Sequence, residues 1–172
     1  TEFGAVAQLS AEWKKRGTKV IGVSVDGVED HKRWGNDIQT VSGSEVDFPI
    51  IADDGLTVSK LYDMLPADEA GNASGRTAAD NQTVRTVFMI GPDKKVKMQM
   101  SYPMTTGRNF DELLRVLDSL QLNMTHRVAT PANWKQGEDV IITGGVPDDE
   151  AKELFGGFEK KLPYLRVTKQ PG

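Results

Sequence analysis

Residues 83–102 read TVRTVFMIGPDKKVKMQMSY, and this stretch decides the fold. Val87, Phe88, Met89 and Ile90 form a continuous apolar run, short enough for a buried strand rather than a helix. Gly91-Pro92-Asp93 is turn chemistry. Val96, Met98 and Met100 then alternate with Lys97, Gln99 and Ser101, the period of a half-exposed strand. The pattern predicts an antiparallel hairpin, central strand first. Arg85 stands at the head of the buried run, and a guanidinium keeps its charge when buried. An anion must meet it. Two readings fit: a structural ion pair, or a cation that holds a substrate oxygen or a thiolate at the strand's end.

Outward from the hairpin, helices alternate with strands. Residues 1–16 carry Phe3, Val6, Ala7, Leu9 and Trp13 on one helical stripe. Lys14, Lys15 and Arg16 suit the helix C-terminus, and Gly17 suits the position just past it. This helix has no entry signal, so the reading expects a strand and turn to precede it. Residues 19–26, KVIGVSVD, form a β-branched strand. A helix over 28–38 follows, with His31, Trp34 and Ile38 on one face. His31 reads as a packing histidine or a catalytic base, and Trp34 as core or pocket wall. Residues 39–47 are polar loop, 48–53 a strand with Pro49 near its start, and 56–64 a short helix. Residues 66–82 read as a loop or excursion. Past the hairpin, Asn109 and Glu112 resemble a capping box, and Phe110, Leu113, Leu114, Leu117 and Leu120 give the clearest amphipathic helix.

Beyond Leu122 the pattern changes. Residues 127–137 read as a connector, 139–142 and 164–168 as short strands, and Pro147 opens a small helix. This tail looks too poor in core to fold alone, and it is expected to pack on the main domain or a second subunit. The predicted fold class is α/β: a thioredoxin-like mixed sheet flanked by helices over residues 1–122, with a C-terminal extension over 123–172.

Composition excludes several function classes. A net charge of -4 offers no basic excess for nucleic acid. No apolar run nears the ~18 residues that span a bilayer. Cysteine is absent from the 172 residues, which removes disulfides, thiolate metal sites and thiol chemistry within them. Two histidines far apart in sequence point to no metal site. Three glycosylation-type triplets begin at Asn72, Asn81 and Asn123, without any sign of secretion.

Longer runs carry a family likeness. Thr1-Glu2 before a small-residue helix, Val25-Asp26 with Glu29-Asp30-His31 and Trp34, and Phe48-Pro49-Ile50-Ile51 resemble the 1-Cys peroxiredoxins. So do Arg85-Thr86-Val87-Phe88, Gly91-Pro92-Asp93-Lys94-Lys95 and Tyr102-Pro103 with the 105–112 run TTGRNFDE. Arg127-Val128-Ala129-Thr130-Pro131 with Trp134-Lys135 resembles the C-terminal extension of that class. The resemblance implies a thiol-dependent peroxidase acting on hydrogen peroxide and organic hydroperoxides. Its external thiol would reduce the sulfenic acid that the reaction forms. The family's peroxidatic cysteine would lie two residues before Thr1, so the chain as given is expected to be inactive.

Three site residues are implied. Arg85 would lie beside the cysteine and favour its anion, Arg108 would be the second arginine, and Glu2 the carboxylate orienting both. Arg108 alone also reads as a solvated arginine, though a helix start is an electrostatically poor place for a cation. No cofactor is implied. A homodimer through the extension and a cytoplasmic location are expected. Two alternatives remain: a cysteine-less structural or chaperone-like dimer, and an acidic phospholipase A2-type hydrolase. In the latter Asp93 would be the acid, and a plain turn aspartate is its simpler reading.

Overall fold

The computed structural model describes residues 1–65 and 85–172. The predicted 66–82 loop and the triplets at Asn72 and Asn81 lie outside them. The chain divides into two compact units, Thr1–Phe110 and Asp111–Gly172.

In the first unit the expected alternation is present, with one change at the start. The single predicted helix is two: α1 (Glu2–Gln8) and α2 (Ser10–Lys15). Leu9 leaves helical geometry at φ -93, ψ 12. The indole Nε1 of Trp13 donates to the Val6 carbonyl at 3.0 Å, so the interrupted turn keeps a partner. The helix then ends as the sequence predicts. Gly17 takes φ +61, and the amides of Gly17 and Thr18 donate to Lys14 and Trp13 at 3.0 and 2.9 Å, a Schellman cap.

β1 (Gly22–Ser24) pairs in parallel with β2 (Ile50–Ala52), joined by α3 (Val28–Ser42). α3 runs four residues past the predicted end. Thr40 and Ser42 hydroxyls donate back to the Asn36 and Ile38 carbonyls, and left-handed Gly43 stops the helix at φ 73. Trp34 is 37% exposed, so it is not a core residue; its ring stands 5.7 Å from that of His31. After β2, the Asp53 carboxylate accepts the amides of Val58 and Ser59 at 2.9 and 2.6 Å and holds the start of α4 (Thr57–Leu61). Burial pushes Asp53 up, but these amide donors outweigh it and lower its pKa. Leu56 accepts a left-handed φ of 56 because its side chain is fully buried.

β3 (Arg85–Ile90) and β4 (Val96–Tyr102) form the predicted antiparallel hairpin, with Arg85 opposite Tyr102. A register shift falls at Met89/Ile90. The apolar run is less enclosed than its composition predicts. Among the described residues β3 pairs only with β4, and Ile90 is 55% exposed. Phe88 meets Tyr62 edge-on with ring centroids 5.0 Å apart.

The second unit holds two strands, Val128–Ala129 and Glu159–Leu162, that the sequence reading of the tail lacks. The leucine helix α5 (Phe110–Thr125) leads into it, and α6 (Asp148–Phe155) starts after Pro147 as predicted. Four strands, β5 (Val128–Ala129), β6 (Val140–Ile142), β7 (Glu159–Leu162) and β8 (Leu165–Thr168), make an antiparallel sheet ordered β5-β6-β8-β7. Its core holds Val128, Trp134 and Val140, and then Ile142, Val146 and Ala151. Trp134 is buried, and its indole donates to the Glu138 carbonyl at 3.1 Å. No described helix is long and apolar enough to cross a membrane.

Candidate functional site

The three residues singled out as a site come from three separate elements of the first unit. Glu2 is the first residue of α1, and Arg85 the first of β3. Arg108 lies in the turn between β4 and α5. The structure brings all three together. Arg108 grips the carboxylate from two directions: its backbone amide and Nε donate to Glu2 Oε1 at 2.9 and 3.0 Å, and Nη2 donates to Oε2 at 2.9 Å. Arg85 Nη1 donates to the same Oε2. Each carboxylate oxygen thus accepts two N–H groups, which fills the acceptor sites of an ionised acid.

Two main-chain carbonyls complete the cradle. Arg85 Nε donates to Met104 O at 2.7 Å, and Arg108 Nη1 to Thr86 O at 3.4 Å. Sequence reading could not find these, because any residue supplies a carbonyl. Thr86 is itself tied across the hairpin, its hydroxyl 2.9 Å from that of Ser101. Both arginines are thereby fixed from two sides.

The electrostatics follow from the geometry. Glu2 is 14% exposed, Arg108 18% and Arg85 28%. Burial alone would raise the Glu2 pKa, but the hydrogen bonds and charge of Arg108, joined by the charge of Arg85, outweigh it and hold the acid at about 2. Glu2 is therefore ionised throughout the neutral range. Among the described residues, two guanidinium groups against one carboxylate leave one positive charge in excess. Arg85 is the most open of the three, and its Nη2 has no partner among the described residues. Chemically, such an arrangement can receive one anion, or an oxygen on which negative charge develops.

The other candidates separate from this cluster. Asp93 accepts Lys97 Nζ at 2.7 Å and the Lys95 amide at 3.3 Å, the behaviour of a turn aspartate. Its pKa is lowered chiefly by the Lys97 hydrogen bond. His31 packs on Trp34, and its Nε2 is buried without a partner among the described residues. Among the described residues no group of three or more His, Asp or Glu is placed to hold a metal ion.

Known proteins resemble this chain along almost its whole length. Residues 1–99 match the AhpC/TSA family, and residues 119–157 match the C-terminal domain of 1-Cys peroxiredoxin. The chain is 47% identical to peroxiredoxin-6 of Rattus norvegicus over 182 residues, covering 99% of this chain and 79% of the relative. A cysteine-to-serine mutant of the peroxiredoxin 6 of Arenicola marina superposes with a TM-score of 0.88 at 44% identity, over 99% of this chain and 78% of that one. A yeast mitochondrial 1-Cys peroxiredoxin, described with a thiol resolving mechanism via glutathione and thioredoxin systems, gives a TM-score of 0.90 at 45% identity, over 98% and 78%.

Proposed function

The chain belongs to the 1-Cys peroxiredoxins, thiol-dependent peroxidases, and on that premise we propose that Glu2, Arg85 and Arg108 form the electrostatic half of the peroxide site. The half they serve is a cysteine thiolate, which residues 1–172 do not contain. The thiolate attacks one peroxide oxygen and the O–O bond breaks. Sulfur is oxidised to sulfenic acid, and the leaving oxygen departs as hydroxide or alkoxide and takes a proton. One external thiol then condenses with the sulfenic acid, releasing water and forming a mixed disulfide, and a second thiol reduces that disulfide. Arg85 and Arg108 favour the sulfur anion before attack and the leaving oxygen during it. Glu2 does no chemistry itself; it holds both guanidinium planes in one orientation.

The observation that carries this reading is the incomplete neutralisation of the cluster. Glu2 is saturated, yet Arg85 keeps the two N–H groups of Nη2 without partners among the described residues. A purely structural ion pair has no need of a second cation. The extension over 123–172 is read as a dimerisation arm, in keeping with the 79%-exposed Tyr164 and 44%-exposed Leu162 of the β7–β8 turn region. Truncation after Leu122 should then weaken self-association by light scattering, and an unchanged mass would contradict the arm. The location that goes with this reading is cytoplasmic.

The experiment is the pH profile of thiol alkylation in the protein made from its complete coding sequence. The thiol should titrate well below the ordinary value of about 8.5, and Arg85→Met should move it up. An unmoved pKa would remove Arg85 from the role, and a protein with no alkylatable thiol would favour the non-enzymatic dimer.

A further inference from the structure

The residue after Glu2 is Phe3, and its surroundings give it a task. Its ring meets that of Phe48 edge-on, with centroids 5.9 Å apart at 70°. The ring also lies against Gly22, the first residue of β1. A Cβ on Gly22 would come within 3.0 Å of Cε1 and Cζ of the Phe3 ring, and within 3.3 Å of Ile50 Cγ1. Gly22 has no left-handed φ, so its backbone does not require glycine. What requires glycine there is space. The missing side chain makes room for the Phe3 ring against the sheet.

One residue further, α1 is pinned again. A Cβ on Gly4 would lie 2.6 Å from Ser42 Cβ of α3. Two successive residues of the first turn therefore fix the depth of α1, one against β1 and one against α3. The Glu2 carboxylate depends on that depth. Its two oxygens meet the Arg108 fork at 2.9–3.0 Å, where a shift of a few tenths of an ångström lengthens several charged hydrogen bonds together.

We propose that Phe3 is a positioning residue: its ring, seated where Gly22 lacks a side chain, sets the first turn of α1 so that Glu2 presents both oxygens to Arg85 and Arg108. Its meaning for catalysis rests on the proposed function above, but its test does not. The full 172-residue chain is titrated by carbon-13 NMR of the glutamate carboxyls, in wild type, Gly22→Ala, Phe3→Leu and the double variant. Gly22→Ala overfills the contact and Phe3→Leu underfills it. Each single change should raise the Glu2 midpoint from about 2 by at least one pH unit, a tenfold loss of preference for the charged form, of about 1.4 kcal/mol. The double variant should return most of the way, because the smaller side chain then matches the added methyl. Packing without positioning would lower stability and leave the Glu2 midpoint in place, and that result overturns the proposal. A double variant displaced by the sum of the singles overturns it too. Should Gly22→Ala not fold, an unmoved Glu2 midpoint in Phe3→Leu is sufficient to reject it. Failure here would leave the thiol alkylation test of Arg85 untouched.

Discussion

Glu2→Gln removes the negative charge and turns one acceptor oxygen into an N–H donor, much as protonation does, so it measures what the two arginines gain from the ionised acid. The magnitude follows from the lowered pKa of Glu2. Glu2 is held at about 2 against an ordinary 4.5, a difference worth about 3 kcal/mol. Gln resembles the protonated acid, so the variant should be less stable by about 3 kcal/mol at pH 7. A carboxylate with a depressed folded pKa stabilises fully above its unfolded pKa, and that stability is lost as pH falls through the folded one. The gap between wild type and variant should thus narrow to about 1.5 kcal/mol at pH 3 and vanish below pH 2. Other carboxylates with lowered pKa, Asp47, Asp53, Asp93 and Asp148 among them, titrate in both proteins and cancel in the difference. Urea unfolding of the full chain, followed on the amide NMR signals of β3 and β4, reads the first unit by itself. A gap below about 1 kcal/mol at pH 7, or one that does not change between pH 7 and pH 3, would refute the saturated-acid picture.

Two further outcomes are expected. Arg108→Lys keeps the charge but loses the fork, so Glu2 should titrate at least one pH unit higher by carboxyl NMR; an unmoved midpoint would mean that the fork is dispensable. Trp134→Ala should cost about 3–5 kcal/mol and act on the second unit, read as faster amide exchange in β6 and β8; unchanged exchange there would show that the sheet does not rest on this indole.

The meeting of Glu2, Arg85 and Arg108 is more legible in the sequence than the structure of the tail. Arg85 was legible because a permanent cation at the head of an apolar run demands an anion, and Glu2 and Arg108 became legible through the family likeness of their runs. The two carbonyls that steer the arginines were invisible, since Met104 and Thr86 act through the main chain. The break at Leu9 escaped because the apolar stripe of residues 1–16 is continuous across it, and the Trp13 indole that donates to the Val6 carbonyl is a tertiary detail. The four-stranded sheet of the second unit escaped for a different reason. β5 has two residues, and β7 reads EKKL with every position exposed, so neither shows an alternating pattern. Their pairing is decided by partners distant in sequence and by Trp134, a lone aromatic in a stretch that otherwise reads as connector.

The pair of arginines, held by one acid and short of one negative charge among the described residues, is the centre of this account. Its most direct measurement is the stopped-flow rate of hydrogen peroxide consumption by the protein made from its complete coding sequence, wild type against Arg85→Met. Loss of one preorganised donor should slow the peroxide step by about a hundredfold or more. Equal rates in the two proteins would contradict it.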